Sequence, residues 1–288
     1  MPGPHTFGFD AFAPAQIAER VNELGVAKAR LPVLSILMLG GLAGAFIGLG
    51  ALFFVLVQSD ASLGFAAKRV LGGTVFSLGL LLVVVAGAEL FTGNNLLAMA
   101  WADGKLTTLQ LLRNWMLVGA ANLAGAVGLA LVVWLSGHGD MNGGAVRETY
   151  VEIAAAKGGL SPVKAFFSGL LCNVLVCMAV WMSLAGRSVV DKLAAIVLPI
   201  SAFVAAGFEH SVANMYLIPM GMLFAPEALP DWALVRNLVP VIAGNLVGGS
   251  VLVALVYHVI YLRPKRLQPA LIEPGHDATR DHQEEPAR

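Results

Sequence analysis

The chain has 288 residues, 58% of them hydrophobic and 12% charged, with a mean hydropathy of +0.78. A soluble domain carries about twice that share of charge, so the composition excludes an ordinary soluble protein. Its 18 Lys and Arg balance its 18 Asp and Glu, and no nucleic-acid partner is expected.

Residues 1–30 lack a leading basic cluster followed by an apolar core, so no signal peptide is expected. Pro14–Ala29 begins with a proline, a good first helical residue, and puts Ile17, Ala18, Val21, Leu24 and Gly25 on one face. It reads either as a short amphipathic helix on the membrane surface or as an ordinary soluble cap, with residues 1–30 forming a cytoplasmic N-terminal segment. Crossing a hydrocarbon core of about 30 Å takes roughly 20 helical residues. Leu31–Ser59, Asn114–Gly137, Ala165–Gly186 and Asn237–Leu262 meet that length without a charge. Val70–Ala102 and Leu193–Ala225 meet it if each is interrupted once, at Glu89 and at Glu209-His210. The reading is an all-α, multi-pass membrane protein with six transmembrane helices over residues 31–263, embedded in a lipid bilayer.

With six spans, the side holding both termini carries 12 Lys and Arg and the other side 6, together all 18. That asymmetry puts both termini in the cytoplasm. From Pro264 to Arg288 the sequence turns polar, and a disordered cytoplasmic tail is expected. Cys172 and Cys177 lie five apart in one apolar span and have no metal-ligand spacing, so they read as reduced, packed thiols with no metal and no cofactor.

A repeat runs through the chain. The string "AGAE" at Ala86–Glu89 returns as "AGFE" at Ala206–Glu209, offset by 120. "RNWMLVGAANLAG" (Arg113–Gly125) returns as "RNLVPVIAGNLVG" (Arg236–Gly248), offset by 123. The chain therefore reads as two three-span copies, about 31–137 and 165–262. Three is odd, so the second copy enters the membrane from the opposite side, giving an inverted repeat with the second and fifth spans broken. Irregular backbone inside a membrane is tolerated only against protein or a water-filled cavity, so the two breaks are expected to meet and line a pathway.

The first break supplies Glu89, Thr92, Asn94 and Asn95, with Gly93 able to take φ above zero. The second supplies Glu209, His210, Ser211 and Asn214. A charge at the centre of a membrane helix costs about 2.5–3.5 kcal/mol on insertion scales, which calls for pairing or function. Each Glu is expected to cap exposed amides and hold its loop in shape, with direct contact to a permeant as the alternative for Glu89. His210 titrates in the physiological range when free and is expected to line the path opposite Thr92. Half-helix N-termini beside both loops suit an anion. Asn122 and Asn245 match across the repeat, which suggests one shared structural task.

Four strings carry a resemblance: "FSLGLLLVVVAGAELFTGN" (Phe76–Asn94), "LLCNVLVCMAVWMS" (Leu170–Ser183), "AGFEHSVANMYLIPMG" (Ala206–Gly221) and "GNLVGGS" (Gly244–Ser250). In these the chain resembles the formate–nitrite transporter family of pentameric channels for small monovalent anions, most like its formate branch. The resemblance implies an aquaporin-like fold in the bacterial inner membrane, a homopentamer with one pore per protomer, and formate, nitrite or hydrosulfide as substrate. It implies a loop at Leu90, Phe91 and Thr92, and a cytoplasmic constriction at Phe76, Leu80 and Phe91. It also implies a periplasmic constriction at Phe203, a central histidine at His210, asparagines around it at Asn173 and Asn245, and an anion-attracting lysine at Lys157. His210 would then offer a proton or a positive partner midway, so that a weak acid crosses neutral.

Other classes fit less well. An aquaporin-type channel for neutral solutes carries an Asn-Pro-Ala string at each half-helix start, and "AGAELFTGN" and "AGFEHSVAN" stand there instead. A haem-anchoring subunit needs paired histidines on facing spans, and "EHSVAN" lacks the paired histidines of a zinc protease. No enzymatic activity is expected.

Overall fold

The computed structural model describes residues 10–263, and the expectation for the tail from Pro264 lies outside them. The described residues form helices joined by short connections, with no strand among them. In chain order the helices are α1 (Pro14–Ala29), α2 (Val33–Gln58), α3 (Phe65–Gly87) and α4 (Ala98–Ala102, led in by a 3-10 turn over Gly93–Leu97). After these come α5 (Thr108–Leu135), α6 (Ala145–Gly158), α7 (Pro162–Ser183), α8 (Val189–Ala206), α9 (Ser211–Phe224) and α10 (Ala233–Leu262). Six of them, α2, α3, α5, α7, α8 and α10, are long and apolar enough to cross a bilayer. The chain is a multi-pass, all-α membrane protein.

Local chemistry sets the helix starts. Thr107 and Gln110 close a capping box at α5, with the Thr107 amide donating to Gln110 Oε1 at 2.9 Å. Ser188 and Asp191 do the same at α8. Such boxes satisfy amides that a helix start leaves without partners. In α1, Gln16 Oε1 accepts from the Ala13 amide at 2.9 Å. The apolar face of α1 (Ile17, Ala18, Val21) packs on Leu96, Met99 and Trp181. The apolar face of this segment is thus turned to the protein.

Close packing of the spans rests on small residues. A Cβ on Gly44 would overlap the Asn122 carbonyl, and one on Gly125 the Gly41 carbonyl, so α2 and α5 touch backbone to backbone. The second copy repeats this, Gly244 and Gly248 of α10 facing the Phe166 and Leu170 carbonyls of α7. Side-chain-free contacts of this kind hold helices together where lipid offers no hydrophobic driving force. Leu34, Met116 and Leu198, 67%, 74% and 75% exposed, belong to the outward apolar surface.

Both breaks follow a left-handed glycine. α3 stops at Gly87 with φ +89°, and α8 is capped by Gly207 with φ +77°. Only glycine enters that region freely, which makes it a common terminator of helices. The expectation that Gly93 supplies a positive φ is corrected: Gly93 opens the 3-10 turn in helical conformation, and the left-handed residue lies six positions earlier, at Gly87.

Candidate functional site

The breaks meet in the protein interior. Thr92 Oγ1 lies 2.9 Å from His210 Nε2, and both residues are buried. His210 is the N-cap of α9, and its Nδ1 accepts from the Ala213 amide at 3.1 Å. A ring nitrogen that accepts from an amide carries no proton, so the imidazole here is neutral, with its hydrogen on Nε2 donated to the Thr92 hydroxyl. The His210 ring stacks on Phe203 at 5.8 Å, and Phe203 meets Phe76 edge-on at 5.7 Å.

Two matching polar networks hold the breaks. In the first, Lys28 Nζ donates to Glu89 Oε1 at 2.7 Å and to Asn94 Oδ1 at 3.2 Å. Asn94 Nδ2 donates to Glu89 Oε2 at 2.7 Å and to Asn114 Oδ1 at 3.0 Å. In the second, Lys157 Nζ donates to Glu209 Oε1 at 2.8 Å. Asn214 Nδ2 donates to Glu209 Oε2 at 2.6 Å and to Asn237 Oδ1 at 2.7 Å. Asn122 Oδ1 accepts the Phe91 amide at 2.9 Å, and Asn245 Oδ1 accepts the Ser211 amide at 3.0 Å. Each of these two asparagines also donates to a neighbouring span, Asn122 to the Gly40 carbonyl and Asn245 to the Gly169 carbonyl. An unpartnered amide in this setting would cost several kcal/mol.

This corrects the role expected of the carboxylates. Glu89 and Glu209 do not cap backbone amides; their oxygens go to lysine and asparagine side chains, while Asn122, Asn245 and His210 hold the amides. The reason is charge: a buried carboxylate is better compensated by a cation than by amide dipoles. Lys157 is likewise corrected as a free attractor of anions, because its ammonium is bound to Glu209 and its side chain is only 16% exposed.

Two cavities flank the Thr92–His210 contact. The first, about 320 Å³, is lined by Lys28, Leu80, Glu89, Leu90, Gly93 and Asn94 among others. The second, about 410 Å³, includes Arg69, Phe76, Lys157, Phe203, Glu209 and His210. Between them runs a gap with no room for a water molecule. Leu80 and Leu90 face it from the first cavity; Phe76, Phe203 and His210 face it from the second. Cytoplasmic and periplasmic constrictions were expected as two; Phe76 touches Phe203, and the narrow part is one continuous apolar stretch.

Four expected pore residues line neither cavity nor the gap, and of these Thr92, fully buried, meets the gap only through its contact with His210. Phe91 borders a separate apolar groove between α5 and α10 with Trp115, Gly119 and Leu246, and Leu90 alone of that pair reaches the gap. Asn173 and Asn245 are fully buried and line neither cavity. Asn173 Nδ2 is within 2.7 Å of both Asn95 Oδ1 and the Asn245 carbonyl, tying the two copies together.

Sequence reasoning missed Lys28, Asn114 and Asn237 as partners in the networks. The signals were present. "RN" opens both copies of the 123-residue repeat. Lys28-Ala-Arg-Leu-Pro32 matches Lys157-Gly-Gly-Leu-Ser-Pro162 with one insertion. The offset is 129 at the lysines and 130 at the prolines, against 120 and 123 for the other strings, which hid the correspondence and left α1 looking like an appendage.

The comparisons with known proteins agree with this architecture. The profile of the formate/nitrite transporter family matches residues 15–259. The chain is 40% identical over 274 residues to the formate channel FocA of Escherichia coli strain K12, covering 88% of this chain and 96% of that one. Among solved structures, a pentameric formate channel with formate bound superposes with a TM-score of 0.72 at 37% identity, covering 80% of this chain and 98% of its own. An FNT family ion channel gives 0.78 at 29% identity, with 85% and 98% covered. The family profile spans most of the residues that build both breaks and the gap between them, and the chain belongs to the formate/nitrite transporter family.

Proposed function

We propose that the chain is a channel for small monovalent weak-acid anions, with formate as its substrate, and that it is a channel and not an enzyme. The observation that carries this reading is the buried Thr92–His210 contact at the edge of an apolar gap joining two polar-edged cavities. A bare anion loses its hydration in such a gap at a cost no apolar side chain can offset. The Nε2–H of His210 is the polar hydrogen offered there, shared with Thr92. An anion can displace Thr92 as its acceptor at the aromatic end, and it passes the Leu80–Leu90 end as neutral acid once it has taken a proton that His210 first received from the solution. Delivery of a proton by His210 itself requires an imidazolium, and so the loss of the Ala213 bond at Nδ1.

The 37% identity to a pentameric formate channel supports a homopentamer with one conduit in each protomer. The excess of Lys and Arg on one side supports an inner-membrane orientation with both termini cytoplasmic. Residues 31–263 form the channel domain, and residues 1–30 and 264–288 are cytoplasmic segments. Flux of formate, nitrite and hydrosulfide into proteoliposomes, measured side by side at two pH values, tests the substrate. Formate should be fastest, and its flux should rise at the lower pH. Hydrosulfide or nitrite exceeding formate at both pH values would contradict the assignment.

A further inference from the structure

The two cavities differ in charge. The first is lined by one cation and one carboxylate, Lys28 and Glu89. The second is lined by three cations, Arg69, Lys157 and Lys164, against the single carboxylate Glu209. Glu209 is committed to Lys157 at 2.8 Å. Among the described residues, neither Arg69 nor Lys164 forms an ion pair.

Arg69 is positioned, not loose. Its Nε–H donates to the Ala205 carbonyl at 2.8 Å. A Cβ on Gly207 would stand 2.6 Å from its Nη2, so the bare left-handed glycine of the second break leaves room for the guanidinium. That places the group beside the break, two residues before Glu209 and three before His210. With Nε spent, the Nη1/Nη2 edge keeps its donors for a ligand.

We infer that Arg69, supported by the charge of Lys164, is a capture site for planar two-oxygen anions at the mouth of the second cavity. The inference rests on the anion-channel reading above. A guanidinium fork matches a carboxylate or nitrite with two parallel hydrogen bonds, whereas hydrosulfide or chloride presents one centre and gains only from the charge. Lys164 is exposed, so its contribution is long-range attraction that salt screens.

Arg69→Lys keeps the charge and removes the fork; Lys164→Gln removes a charge and leaves the fork. In proteoliposomes, Arg69→Lys should raise the half-saturating formate concentration three- to tenfold with the maximal rate within twofold, and leave hydrosulfide flux unchanged. Lys164→Gln should weaken both anions alike at low ionic strength, and the effect should vanish at high salt. In detergent, formate should raise the melting temperature of the wild type more than equal chloride does, and Arg69→Lys should abolish that difference. A wild type that moves no formate yet shows this formate-specific stabilisation would remove the channel reading and keep the site. Wild-type half-saturation in Arg69→Lys with the formate-over-chloride stabilisation intact would overturn the site. Should Arg69→Lys fail to assemble, salt-independent and unaltered formate flux in Lys164→Gln would overturn it as well.

Discussion

At the scale of single residues, the polar interior is organised by compensation. Glu89 and Glu209 are 4% exposed; the oxygens of Glu89 meet Lys28 and Asn94, and those of Glu209 meet Lys157, Asn214 and, at 3.4 Å, Asn237. Removing one partner of a buried pair leaves an uncompensated charge, at a cost of about 3–5 kcal/mol. The two lysines differ in exposure, 30% for Lys28 and 16% for Lys157. Lys157→Met should therefore lower the melting temperature of the purified protein more than Lys28→Met does. The double variant Lys157→Met/Glu209→Gln should recover part of the loss, as it removes both charges. Equal melting of all three and the wild type would show that neither pair is compensated as described. The carboxylates and His210 stood out in the sequence because a charge in an apolar run is conspicuous. Their partners did not, because a lysine outside the spans and an asparagine inside one each have an ordinary explanation alone.

At the scale of elements, two glycines 120 residues apart end the first halves of the broken spans. A side chain in left-handed conformation costs about 1–2 kcal/mol. Gly87 has nothing within 4 Å of a Cβ position, whereas Gly207 has Arg69 Nη2 at 2.6 Å. Gly87→Ala should cost the backbone strain alone, and Gly207→Ala that strain plus displacement of the guanidinium. Melting temperatures in the order wild type, Gly87→Ala, Gly207→Ala are expected, and the reverse order for the two variants would refute the argument. The sequence pointed to Gly93 because it sits among polar residues. Which of several nearby glycines turns left-handed depends on where the helix has to stop, and that is set by the packing of Glu89 and Asn122 behind it. Helix positions were legible for a simpler reason: length and apolarity alone define a span. Leu90 and Phe91 show the limit, since adjacent apolar residues give no sign of which one turns inward.

At the scale of the molecule, the inverted repeat makes one conduit from two copies of the same polar knot. The copies are not equivalent. The residue that follows Glu in the first is Leu90 and in the second is His210, so one side of the gap is closed by an apolar side chain and the other carries the sole ring N–H facing it among the described residues. Symmetry was readable as two matched strings, but the break in symmetry that gives the chain its chemistry was readable only at His210 itself. The pairing of His210 with Thr92 across 118 positions depends on the second copy entering from the opposite side, which the odd number of spans requires.

The central claim is that permeation passes the Nε2–H of His210 within an otherwise apolar gap. The most direct test is formate flux in proteoliposomes carrying His210→Phe, followed from pH 5 to 8 beside the wild type. Phenylalanine keeps the ring stacked on Phe203 and removes both the hydrogen offered to the anion and the titratable nitrogen. The account predicts that flux of the anion falls at least tenfold at the upper end of this range and that the remaining flux tracks the neutral acid alone. Wild-type flux with a wild-type pH profile in that variant would contradict it.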